Sequence, residues 1–367
     1  MIFQELISKN IPFAAWRMPG GNESFLTVQK KRDNQRIPLT ELEFKSGFVV
    51  APYASYLDGN LFLIEPDFQL RLSEAKEILQ PWLVDIPSQE KQLGIKTVAI
   101  EHDSYIDKAG FLISEMQQEK AHKVVFSRVM HERLPEHFSP DDFFDLLEST
   151  YPRAFVYLFF LPGEGLWCGA TPETLLSKTK GSFETMALAG TQLKPAQEAA
   201  PLIWEEKERQ EQAYVTLFID EQLNNLKIHS YDKKGPETVF AGQLAHLCTR
   251  FSIPEREVGN KAGLLIKALH PTPAVCGLPR KKAAELIRQT EIHSRSFYTG
   301  FLGPWQQQNV SQLFVNLRCA KILDSELELY VGGGLTADSV PEKEWQETQY
   351  KSRTMLSVLE KMRNFAP

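Results

Sequence analysis

Short apolar runs at residues 25–28, Gly47–Ala51 and 61–64 alternate with Gly, Asn, Asp and Pro through residues 1–100. That punctuation predicts strands joined by turns. The period then changes: Ile106, Ala109, Phe111, Leu112, Ile113 and Met116 share one side of a helix predicted over residues 104–120. KVVFSRVMHER predicts a strand over 123–133, and Ser139 before Pro140, Asp141 and Asp142 marks a helix start. A capping hydroxyl, proline in the first turn and acids at the positive dipole end all favour one there. AFVYLFFLP, GLWCGA and SFETMALAG predict three more strands, and a helix dense in Glu and Lys is predicted over 201–226. VGGGLTA reads as a Gly-rich turn, and residues 342–362 as a closing helix. Strand meanders broken by helices predict an α/β (α+β) layered domain.

Composition bounds this picture. With 367 residues, 43% hydrophobic and 24% charged, the chain can bury a sizeable core as one large domain or two smaller ones. A net charge of -6 excludes the basic footprint of a nucleic-acid binder. No apolar stretch approaches the ~20 residues of a membrane span, and Glu5 and Lys9 interrupt what a signal peptide would keep apolar. Cys168, Cys248, Cys276 and Cys319 are scattered without C-x-x-C spacing, which reads as reduced thiols of a cytoplasmic protein.

Four groups of residues could carry chemistry, and each has an ordinary explanation. Lys123, opening a strand, could be desolvated into a general base, or be a charge that protects a strand edge. Glu173, in a turn fixed by Pro172, could be a general acid raised by burial, or a solvated turn residue. Glu208 with Glu211, and Glu344 with Glu347, are each three apart and share a helix face. Two such faces together would suit a hard cation such as Mg²⁺, although acids at helical spacing usually form a solvated surface. Finally HPTPAVCG (270–277), Arg318 and Gly332–Gly333–Gly334 could hold carboxylates through an arginine fork and backbone N–H groups, or be plain loops.

In combination these segments are specific. KVVFSR, GATPETLL, ALAGT, EKERQEQ, AHL, ALHPTPAVCGLP, FYTGFLG, LRCAKI, YVGGG and EWQETQYK occur in this order. The chain thereby resembles the chorismate-utilising enzymes: isochorismate synthases, anthranilate synthase, aminodeoxychorismate synthase and salicylate synthases. The resemblance implies one domain over residues 1–367, with a variable part at 1–100 and the motifs within 115–367. It implies packed antiparallel sheets with helices outside and an active site in the cleft where the sheets meet. Within the family, isochorismate synthase is the expectation. Lys123 is present where anthranilate synthases lack a lysine, Ala189 stands where aminodeoxychorismate synthases tend to carry one, and Ala274 replaces the threonine of amine-transferring members. Val275, Gln192, Gln210 and Tyr298 depart from the commoner residues at their positions.

Residue by residue, the resemblance implies that Lys123 activates water for attack on ring carbon 2 of chorismate, and that Glu173 protonates the hydroxyl leaving carbon 4. Burial would displace the lysine downward and the acid upward in pKa. It further implies Mg²⁺ held by Glu211 and Glu347, with Glu208 and Glu344 acting through water. Gly190 and Thr191 would lie beside the ring carboxylate, and His246, Ala274, Val275 and Tyr298 around the ring. Arg318, Lys351 and the backbone of Gly332, Gly333 and Gly334 would hold the enolpyruvyl carboxylate. The expected partner is chorismate alone, with no glutaminase subunit, nucleic acid or membrane, in a monomer or weak homodimer. A salicylate synthase, adding pyruvate elimination, and a catalytically silent chorismate-binding subunit are the alternatives. The isochorismate could serve menaquinone, a siderophore or salicylate.

Overall fold

The structure, a computed structural model, describes residues 1–179, 181–193, 202–241 and 244–365. Its described strands form two nine-stranded sheets in which every pairing is antiparallel. The first sheet runs, in spatial order, Gly277–Leu278, Lys123–Arg133, Glu326–Leu335, Cys319–Ile322, Gly165–Thr171, Phe155–Leu161, Phe13–Arg17, Ser24–Val28, Phe68–Arg71. The second runs Asp232–Ala241, Leu244–Pro254, Ser182–Leu193, Thr174–Thr179, Ser311–Val315, Phe301–Trp305, Gly47–Ala51, Asn60–Ile64, Gln35–Pro38.

The strand Phe155–Leu161 shows why the sheets stack. Every residue in it is buried, and alternate side chains serve different layers. Phe155, Tyr157 and Phe159 enter a core shared with Phe48, Val50, Leu302 and Phe314 of the second sheet. Val156, Leu158 and Phe160 enter a separate core with the helices Ile2–Ser8, Leu72–Leu83, Pro140–Thr150 and Pro341–Phe365. A strand packed on both faces reads as a continuous apolar run, which is what FVYLFFL is. The helices Glu206–Asn225 and Ala262–Leu269 cover the outer face of the second sheet. The helices His102–Gln117 and Arg280–Thr290 pack over Val124, Phe126 and Leu335 at one end of the first.

The expected α/β layering is therefore present, and the strand Lys123–Arg133 falls where its pattern put it. Ser139 caps its helix by accepting a hydrogen bond from the Asp142 N–H at 3.2 Å. The long acidic helix begins later than its composition suggests, at Glu206, after a capping box between Glu205 and Glu208. Residue 201, its expected start, lies outside the described residues. One expectation is corrected outright. Gly332–Gly334 is not a turn but the end of the strand Glu326–Leu335, paired with Ser127, Phe126 and Val125. All four cysteines are buried free thiols.

Candidate active site

Two chain crossovers build the site. Thr171 ends a strand of the first sheet and Thr174 begins one of the second, so Pro172 and Glu173 span the gap between sheets. Asn316, Leu317 and Arg318 span it in return, from Ser311–Val315 to Cys319–Ile322. The crossovers are tied together: Thr171 Oγ1 donates to the Val315 carbonyl at 2.6 Å, and the Val315 N–H donates to the Glu173 carbonyl at 2.9 Å. The Ala170 N–H donates to the Arg318 carbonyl at 3.2 Å, and Arg318 takes a left-handed φ of 52° to make the turn.

Between them lies an open cavity. Glu173, Arg318, His246, Ala274, Val275, Tyr298, Gly332, Gly333, Gly334, Lys351, Glu208, Glu211 and Glu347 all line it. Lys123 stands just behind Gly334, and Glu344 just behind Gly333. Gly190 lies beside Glu208, and its carbonyl is 3.2 Å from His246 Nδ1. Thr191 pairs with His246 through the backbone, and its side chain lies outside the described residues. Lining residues that the sequence reading missed include Val125, Leu188, Thr299, Leu317 and Tyr330. Of these only Val125 had a signal, since strand alternation puts it on the same face as Lys123.

Lys123 is 1% exposed. Its strand is flanked on both sides, by Gly277–Leu278 and Glu326–Leu335, so the edge-protecting explanation fails on geometry. Its Nζ donates to Glu211 Oε1 at 2.6 Å. Burial pushes Glu173 up to about 7, against the pull of Lys123 and Arg318. A carboxyl so raised can be a proton donor near neutrality. Burial, with Arg318 nearby, pushes His246 down to about 4, which leaves a neutral imidazole against the cavity.

The three glycines now have a reason. A Cβ on Gly334 would stand 2.6 Å from Lys123 Cε, and one on Gly333 would stand 3.3 Å from Glu344 Oε2 and 3.5 Å from Glu347 Oε1. Bare backbone lets a lysine and an acid-bearing helix close on one strand. Lys351 Nζ donates to the Gly332 carbonyl at 2.9 Å. In an antiparallel strand a residue's N–H and C=O point to the same side, so the Gly332 and Gly334 amides face the edge beyond the end of Cys319–Ile322. At Gly190, with φ 71°, the pairing with the next strand slips, a bulge that re-aims the chain beside Glu208.

The carboxylates make an all-oxygen donor set, which suits a hard divalent cation. Glu208 and Glu211 come from one helix, Glu344 and Glu347 from the other. As placed, lysines supply the countercharge: Lys123 to Glu211, and Lys351 to Glu347 at 2.5 Å. Burial opposes ionisation of Glu211, but Lys123 outweighs it and holds that carboxyl below its usual range. Glu208 Oε2 accepts from the Glu205 N–H at 3.1 Å as part of the helix cap. Among the described residues no three His, Cys, Asp or Glu side chains are gathered around one point. The donor chemistry fits a cation, and binding one requires Glu211 and Glu347 to turn from their lysines.

The site thus sits in an antiparallel double sheet, with a buried acid where strands change sheets and a buried amine near it. The chain matches the chorismate binding enzyme family over residues 64–360 and belongs to it. It is 30% identical over 244 residues to the isochorismate synthase EntC of Escherichia coli (strain K12), covering 64% of this chain and 62% of that protein. The match thus spans less than two thirds of the relative's length. The menaquinone-specific isochorismate synthase MenF from Escherichia coli superposes with a TM-score of 0.77 at 19% identity, covering 98% of this chain and 91% of that one. Anthranilate synthase component I from Streptococcus pneumoniae superposes with a TM-score of 0.68 at 18% identity, covering 94% and 89%. At these identities the two structures establish a shared fold.

Proposed function

We propose that the chain is an isochorismate synthase, a Mg²⁺-dependent enzyme that interconverts chorismate and isochorismate. It acts as a single chorismate-binding unit, since one core is shared by both sheets. The observation that carries the reading is Lys123 and Glu173, both buried and electrostatically coupled, with Glu173 and Arg318 lining the cavity and Lys123 just behind its Gly334 wall. Lys123 takes the proton of a water that attacks ring carbon 2, and Glu173, held in its acid form, gives a proton to the hydroxyl leaving carbon 4. The ring double bonds shift between these positions, so protons and charge balance without any other co-reactant. In the arrangement described, the lysine is donating to Glu211, so the base role requires Glu211 to turn to another cation. Glu211 and Glu347, with Glu208 and Glu344 through water, would hold Mg²⁺, which supplies positive charge to bind the ring carboxylate.

Arg318, Lys351 and the outward amides of Gly332 and Gly334 suit the second carboxylate. His246, Ala274, Val275 and Tyr298 shape the ring site, and Ala189 leaves no amine there to attack the ring. The test is turnover of chorismate supplied without glutamine or ammonia. Isochorismate should form reversibly, stop in excess chelator and return with Mg²⁺. Full activity in chelator removes the metal, salicylate with stoichiometric pyruvate transfers the reading to a salicylate synthase, and an amine-bearing product overturns water as nucleophile.

A further inference from the structure

Behind the cavity wall lies a buried ion pair that the proposed chemistry does not use. The side chains of Arg295 and Glu291 are 2% and 3% exposed. Arg295 Nε and Nη2 donate to the two Glu291 oxygens at 2.8 and 2.6 Å. Its remaining donors go to the Val125 carbonyl at 2.7 Å, the Val275 carbonyl at 2.8 Å and Thr299 Oγ1 at 3.3 Å. The guanidinium is fully satisfied, as a buried charge must be. Each of these three acceptors belongs to a residue that lines the cavity.

The reason for the pair lies in the sheet. The strand Gly277–Leu278 pairs only with Val124 and Lys123, which leaves the Lys123–Arg133 strand an open edge beyond them. The Val125 N–H still finds the Cys276 carbonyl, at 2.9 Å, but past that point side chains replace the missing strand. Arg295 takes the Val125 carbonyl. Glu291 Oε1 accepts from the Ser127 N–H at 2.8 Å and from Ser127 Oγ at 2.7 Å. His293 Nε2 stands 3.0 Å from the same hydroxyl, in an imidazole that burial pushes toward its neutral form.

We propose that Glu291 and Arg295 are positioning residues that lock the Lys123 strand to the Ala274–Val275 wall, and so set where the lysine stands relative to the ring. This rests on the isochorismate synthase reading. A fork that bridges Val125 and Val275 fixes two walls of one site by a single rigid group. Misplacing a reacting group by about 1 Å can cost ~100-fold in rate.

The test compares wild type with Arg295→Lys, which keeps the charge and loses the fork, and Ser127→Ala, which removes the hydroxyl's contacts to Glu291 and His293 with little change in packing. In wild type, turnover of chorismate is scored first, and its absence counts against the enzymatic reading alone. Hydrogen exchange of peptides covering 123–127 and 270–277 is independent of activity. It should quicken in Arg295→Lys and in those two segments together. With wild type active, kcat assayed well below the unfolding midpoint should fall about 10–100-fold in Arg295→Lys and severalfold in Ser127→Ala. The Kd for chorismate by calorimetry should stay within about threefold in both. Should Arg295→Lys not fold, Ser127→Ala carries the same readings. Unchanged exchange in both segments, or a folded variant with wild-type kcat, overturns the inference.

Discussion

The space between the two sheets is filled in opposite ways at its two ends. At one, Trp16 and Phe25 stack with centroids 4.7 Å apart in a core with Phe48 and Phe62. Toward the crossovers, inward-facing Val125, Gly332 and Gly334 line an open cavity with Glu173 and Arg318, and Lys123 stands behind Gly334. The backbone rule is the same in both places: alternate strand residues face inward. Aromatic rings at those positions close the gap and hold the sheets together. Charged groups and glycines leave a gap with its own electrostatics, and the fold tolerates them because each buried charge has a partner or faces the cavity. One sandwich thus supplies a core and a site, and substitutions at the two ends should separate stability from catalysis.

The largest effect on stability is expected in the aromatic region. Phe48→Ala should cost about 3–5 kcal/mol in urea unfolding, because a cavity replaces a fully buried ring. Its kcat per folded molecule should stay near wild type. A large kcat loss with unchanged stability would mean that the two ends are not separable. A somewhat smaller effect is expected from Glu173, and it depends on pH. Its carboxyl is raised from the usual 4.5 to about 7 by burial, against Lys123 and Arg318. A raised carboxyl favours the fold below the unfolded value, and that advantage is lost as pH rises through the folded one. Between pH 4.5 and 7 wild type should therefore lose up to about 3 kcal/mol relative to Glu173→Gln, measured as the difference between their unfolding free energies. Parallel stability curves would show that the acid is not held protonated.

Most of the cavity lining was legible in the sequence because its residues sit in the short segments that carry the family resemblance, such as GATPETLL and YVGGG. Strand boundaries were legible where burial on both faces made an unbroken apolar run, as in FVYLFFL. The glycine triplet was misread because glycine density is a local signal for turns, whereas its cause is distant. Lys123 and the Phe126 carbonyl approach the strand too closely for a Cβ, and Glu344 presses on it. The helix Leu72–Leu83 escaped notice with Pro81 inside it and only three fully buried residues, Ala75, Leu79 and Leu83. The Glu291–Arg295 pair was invisible for another reason: its partners on the lysine strand are 164 and 170 residues away. Only the completed sheet shows the open edge they fill.

The central claim is that Lys123 is the base and not a structural cation, and its removal tests this most directly. Lys123→Ala should fold, and calorimetry should show chorismate bound. A general base typically contributes ~10²–10⁴-fold, so kcat should fall by that range or more. Turnover within a few-fold of wild type, with binding intact, would contradict the account and leave the lysine as a countercharge for Glu211.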